Sequence, residues 1–133
     1  MALTVIDTLE FDPAHGNHPE IIHISGDVYA IAYCKTNAPR PGYLKTVSID
    51  SGGVIGTVID TLEFDAGGGV NPSIIHISGD IYAIAYSGPD SDGWLATVEI
   101  SSAGAIADTI IDSHEFDTSL GGSPHIIHIS GPS

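Results

Sequence analysis

Short apolar runs, separated by breaks rich in glycine, proline and aspartate, fill the chain, and none of them shows helical spacing. One run, IIHIS, stands close behind a proline three times, at Pro19, Pro72 and Pro124. A strand entry tolerates proline because the missing N–H removes no ladder bond there. Gly26-Asp27 and Gly79-Asp80 follow two of these runs and suit two-residue hairpins of type I′ or II′. VYAIAY or IYAIAY comes next, β-branched and aromatic, and apolar on both faces. A strand of that kind needs cover on both sides. Beyond a Gly/Pro/Asp-rich loop, YLKTVSI and WLATVEI show period-two patterning: Val47 and Ile49, like Val98 and Ile100, alternate with Thr46, Ser48, Thr97 and Glu99. A Ser/Gly turn then leads to TVIDTLEFD. Alternation sets Val58, Leu62 and Phe64 on one face with Asp60, and Ile59, Thr61 and Glu63 on the other, the mixed polarity of a half-wet outer strand.

These runs recur in a fixed order. TVIDTLEFD occupies residues 4–12 and again 57–65, 53 residues on; a looser TIIDSHEFD follows at 109–117, a further 52 residues on. IIHISGD begins at Ile21 and Ile74, and IIHISG at Ile126. Four strands per unit of about 50 residues is the signature of a repeat architecture whose units must cover one another. The pattern P-x-I-I-H-I-S-G-D-[VI]-Y-A-I-A-Y followed by G-[YW]-L-x-T-V-x-I resembles a β-propeller repeat protein, and the resemblance covers essentially the whole chain. It implies an all-β fold of four-stranded antiparallel blades. With strands lettered a to d from the axis outward, the order is d-abcd-abcd-a. Residues 4–12 form an outer strand of a partial blade, 19–65 the first blade, 72–117 the second, and 124–133 an inner strand of another partial blade. Propellers use roughly four to eight blades. The expectation is therefore an incomplete ring unless copies assemble head to tail, three chains giving six full blades and four giving eight, or an open stack. Neither the Gly-His and Trp-Asp signature of the WD40 class nor a kelch glycine pair is present.

Composition narrows the function. At 133 residues the chain suits a single domain, and 42% hydrophobic content excludes a disordered tail. Seventeen acids against three bases leave a net charge of −14. The bases, Lys35, Arg40 and Lys45, sit in one stretch, which argues against nucleic acid and against an anionic membrane surface. The opening residues MALTVIDTLE lack the charged and apolar regions of a signal peptide, and no apolar run reaches the ~20 residues of a membrane span. Cys34 is the single cysteine, so no internal disulfide is expected, and its counterpart Ser87 marks the position as a small residue rather than a nucleophile.

Candidate chemistry is modest. His23, His76 and His128 share one position of the inner strand, and three imidazoles at a common radius suggest a transition-metal ring; a buried histidine bonding a neighbouring strand or turn, with Ser25 or Ser78 close in sequence, is the plainer reading. Asp90-Ser91-Asp92-Gly93 resembles the start of a calcium loop, but it lacks the later acid, and the matching loop of the first repeat has no acid at all. A solvated turn is preferred, and no cofactor is assigned. Tyr43 and Trp94 open the third strand at matching positions, where aromatic rings stack on sugars or anchor a protein, though packing between blades explains them as well. His15, His18 and His125 lie in the loops between repeats, where the copies diverge and binding is tuned. Near-identical repeats supply the same groups again and again, whereas catalysis needs groups in unequal roles. The expectation is a non-catalytic binding or scaffold module whose partners are copies of itself and a glycan or protein, or else a purely structural or engineered fragment whose only activity is self-assembly, with a fragment of a propeller enzyme as the third alternative.

Overall fold

A computed structural model of the chain describes residues 3–14 and 16–130. The fold is all-β. Strands β1 (Asn17–Ser25), β2 (Val28–Cys34), β3 (Gly42–Ile49) and β4 (Ile55–Asp65) form one antiparallel sheet in chain order; β5 (Val70–Ser78), β6 (Ile81–Ser87), β7 (Gly93–Glu99) and β8 (Asp112–Asp117) form a second. Both have the form of blades, and together they do not close a ring. A 3-10 turn at Pro89–Ser91 is the one helical element among the described residues, so none is long and apolar enough to cross a membrane.

Local chemistry explains the turns. Gly26 and Gly79 take φ of 52° and 54° at the first position of the β1–β2 and β5–β6 hairpins, as a type II′ turn requires. Between β3 and β4 the Asp50 carboxylate accepts from the N–H groups of Gly52 and Val54, and Gly53 turns at φ 88°. Pro19 and Pro72 stand third in β1 and β5 rather than at the boundary. Register shifts between Asn17 and Glu20, and between Val70 and Ser73, absorb them.

Alternation along β2 and β6 divides each sheet into a small-residue face and a bulky face. Ala30, Ala32, Leu44 and Phe64 of the first sheet pack against Tyr82, Ile84 and Tyr86 of the second, with Val98 and Ile100 beside them. Small against large lets the two sheets pack closely. The opposite face of the first sheet carries Ile31, Tyr33 and Val47 under Phe11.

One expectation is corrected. Val58 does not share a face with Leu62 and Phe64: the ladder jumps from Thr46↔Asp60 to Val47↔Val58, so Ile59 bulges and Val58 turns to the Ile31–Tyr33 side. Residues 4–12 and 124–130 join no ladder, because neither has a neighbouring strand among the described residues to pair with. Residues 131–133 of the expected last strand lie outside the described residues.

The outer segments are nonetheless anchored, and in a repeated way. Asp7 Oδ2 accepts from Ile55 N–H at 2.9 Å, just as Asp60 Oδ2 accepts from Ile106 N–H at 2.8 Å. Ile6 lies over Gly53 as Ile59 lies over Gly104. Tyr33 donates to Asp12 at 3.0 Å and Tyr86 to Asp65 at 2.8 Å, each tyrosine ring meeting a phenylalanine edge-on at 5.0 Å, Phe11 and Phe64 respectively. Residues 3–12 therefore meet the first sheet as β4 meets the second.

Candidate functional site

The antiparallel order brings the β1–β2, β3–β4, β5–β6 and β7–β8 turns to one end of the sheets, here the hairpin end. The segments entering β1 and β5 share the other, entry end with the β2–β3 and β6–β7 loops.

At the hairpin end, His23 Nε2 meets the Gly26 carbonyl and His76 Nε2 the Gly79 carbonyl, both at 2.9 Å, and each ring tilts on the tyrosine of its own hairpin, Tyr29 or Tyr82, at 5.0 Å. Both histidines bond their own turns, as the plainer reading had it, but they are exposed rather than buried, as is His128. A cleft of about 290 Å³ lies beside His23 and His76. Among the described residues no three His, Cys, Asp or Glu side chains converge to hold a metal ion.

The entry end is built differently. The residue before each proline, His18, Asn71 and Ser123, takes φ of 52°, 51° and 49°. That left-handed region is strained for a side-chain-bearing residue, and a following proline disfavours helical backbone further. Asn71 Nδ2 donates to Ser123 Oγ at 3.0 Å, and the Ser73 hydroxyl meets His125 Nδ1 at 3.2 Å while accepting from Ile126 N–H at 3.4 Å. Cys34 Sγ contacts His18 Nδ1 at 3.7 Å and accepts from Asn71 N–H; burial pushes its thiol up, away from the reactive thiolate. Between these three entries lies a cleft of about 240 Å³. A second cleft, of about 460 Å³, runs between the β2–β3 and β6–β7 loops past Arg40, Asp90 and Ser91, three more side chains on left-handed backbone. His15 lies outside the described residues.

The other candidates fall elsewhere. Asp90 and Asp92 belong to the β6–β7 loop, where the Asp92 carboxylate hydrogen-bonds Glu115 and raises the Glu115 carboxyl above its usual range. Half-buried Tyr43 stacks on Tyr33 at 6.0 Å beneath the Lys35 ammonium, 4.5 Å from the ring. Its hydroxyl is pushed up by burial first and by Glu63 second. Trp94 packs on Gly88, and its indole N–H is buried with no partner among the described residues. Neither ring lines one of these clefts.

Residue letters pointed to the divergent loops holding His18 and His125. Left-handed backbone at His18, Asn71 and Ser123 has no sequence signal, because proline ordinarily pushes its predecessor to extended conformations. No family model, curated protein or solved structure matches the chain.

Proposed function

We propose that the chain is a non-catalytic module of the β-propeller type, which stacks its blades on blades of its own kind and offers its entry end for binding. One comparison of equivalent residues carries this reading. Phe64, covered by the second sheet, is 4% exposed; Phe116, at the same place in the next repeat, is 48% exposed. Ile74, covered by the first sheet, is 4% exposed, and its equivalent Ile21 is 56%. These two positions are core where a neighbouring sheet exists and surface where it does not, whereas Ile31, Tyr33 and Val47 on the outer face of the first sheet are covered by Phe11. An apolar side chain left open where its repeat equivalent is core favours an interaction face, and an occupant of fitting shape is another such sheet.

Catalysis is left out of the reading because the repeats bring equivalent groups to equivalent positions, while acid, base and nucleophile need unequal surroundings. A purely structural module shares the stacking and differs in having no ligand.

Sedimentation equilibrium tests the stacking. A particle several times the 13.7 kDa chain mass is expected, with three or four chains giving six or eight full blades. Phe11 holds the place against Tyr33 that a copy's Phe116 would take, so stacking requires residues 3–12 to yield it, and replacing Phe116 with Glu is expected to return the particle to single chains. A wild-type chain that stays monomeric at high micromolar concentration overturns the stacking.

A further inference from the structure

We infer that the 240 Å³ cleft at the entry end is a site for a neutral sugar residue, an assignment that rests on the binding-module reading and names its ligand. The first support is where side chains occupy left-handed backbone. At the hairpin end these positions are glycines, Gly26, Gly53, Gly79 and Gly104, which adopt positive φ at no steric cost. All six non-glycine residues with positive φ among the described residues are at the entry end, where Gly68 is the one left-handed glycine. A side chain held on backbone that glycine would accept more easily points to use of the side chain itself.

The second support is divergence on constant geometry. His18, Asn71 and Ser123 differ by only a few degrees in φ, yet they are an imidazole, an amide and a hydroxyl. The residues beyond the prolines are likewise unlike: Glu20, Ser73 and His125, although the strands that follow repeat IIHIS. The backbone accepts any of these residues, so the fold does not dictate which is present. Six hydrogen-bonding side chains of four kinds thus converge on one cleft, with the rings of Pro19, Pro72 and Pro124 as its apolar surface.

The chemistry of the lining selects the ligand. Glu20 is the one carboxylate and no Lys or Arg is present, so in a chain of net charge −14 a phosphate or carboxylate ligand would meet only repulsion. Amide, hydroxyl, imidazole and a single carboxylate are donors and acceptors matched to vicinal hydroxyl groups. The volume falls below the roughly 300–1,000 Å³ of drug-sized sites and suits one sugar ring.

The test is an amide NMR titration of the whole chain with galactose, mannose and N-acetylglucosamine in turn, with methylammonium and inorganic phosphate as the charged probes. At least one sugar is expected to shift amides at residues 18, 20, 71, 73, 123, 125 and 126, with a Kd on the order of 1 mM, and the charged probes are expected to leave them unmoved. H18G/N71G/S123G keeps backbone that glycine adopts freely, and is expected to retain fold and particle mass while losing at least about tenfold in affinity. Glu20→Gln provides a milder variant with a several-fold loss. No response to any of the three sugars, equal binding by the triple variant, or shifts with methylammonium or phosphate alone would overturn the assignment. Particle mass separates the two readings: a stacked particle silent to sugars overturns only the site, and a monomer that titrates overturns only the stacking.

Discussion

Removing one hydroxyl from each of two equivalent tyrosines measures whether the segment at residues 3–12 is held as firmly as β4. Tyr33 and Tyr86 are fully buried, and each donates to a carboxylate 21 residues earlier. In both pairs the second carboxylate oxygen stays occupied, Asp12 Oδ1 by Ala14 N–H at 3.1 Å and Asp65 Oδ1 by Gly67 N–H at 2.9 Å. Tyr→Phe keeps the ring and its edge contact, so the loss reduces to one charge-assisted hydrogen bond, about 1.5–3 kcal/mol. Asp12 and Asp65 are only half-buried and recover part of this from water. A net loss of about 2 kcal/mol is expected for either variant, or roughly 6–10 °C in Tm for a chain of this size.

Urea and thermal unfolding of Tyr33→Phe and Tyr86→Phe supply the comparison, with an unchanged m-value showing that the same surface still unfolds. The two losses are expected to agree within about 0.5 kcal/mol, since the geometry of the pairs repeats. A neutral Tyr33→Phe beside a costly Tyr86→Phe would refute the claim that residues 3–12 sit on the first sheet as β4 sits on the second. Two neutral variants would refute the worth assigned to the bond itself.

Two further expectations concern the same packing. Thr46→Val removes a fully buried hydroxyl that donates to the Gly104 carbonyl at 2.6 Å across the sheet interface, and is expected to lower stability by about 1–3 kcal/mol in the same unfolding assay, a neutral result counting against a dry interface. Burial first and the Asp12 or Asp65 carboxylate second raise the hydroxyls of Tyr33 and Tyr86 well above the ordinary value; below about pH 10 both folded and unfolded chains keep these protons, and above it only the unfolded chain loses them, so stability falls as pH rises past that point. Tyrosinate absorbance from these two residues is therefore expected to appear only together with unfolding, and free titration of all five tyrosines in the folded chain would contradict the burial.

The strands were legible because the repeat states the pattern more than once and each turn carries its own chemistry, Gly26-Asp27 at one hairpin and Asp50 with Gly53 at the next. What escaped depends on contacts between strands. The bulge at Ile59 is invisible in TVIDTLEFD, because strict alternation is the simplest reading of those letters; it arises where Asp60 reaches across to cap Ile106. β8 begins only at Asp112 although its letters resemble β4, which begins at Ile55. Where the first repeat has Gly56, whose missing Cβ leaves room for the Ser48 hydroxyl, the second has Ala107-Asp108, and pairing narrows to the single bridge Ile100↔Ile106. Legibility of the site followed the same division. Of the polar side chains lining the cleft only His18 and His125 could be named from the letters, whereas Glu20, Asn71, Ser73 and Ser123, and the convergence of all six, follow from the stacking of the sheets.

That stacking also has a direction. The face built from Ala30, Ala32, Leu44 and Phe64 receives the face built from Tyr82, Ile84 and Tyr86. Two sheets meeting through their alanine faces would leave a gap where no tyrosine enters, and two meeting through their tyrosine faces would crowd rings that already fill the space between sheets. A two-fold dimer is disfavoured on either face, and association that repeats the observed contact must run head to tail. Such an interface is heterologous, so a charge placed on one face alone, as at Phe116, blocks every copy of it, while the packing of the two sheets within each chain is left intact.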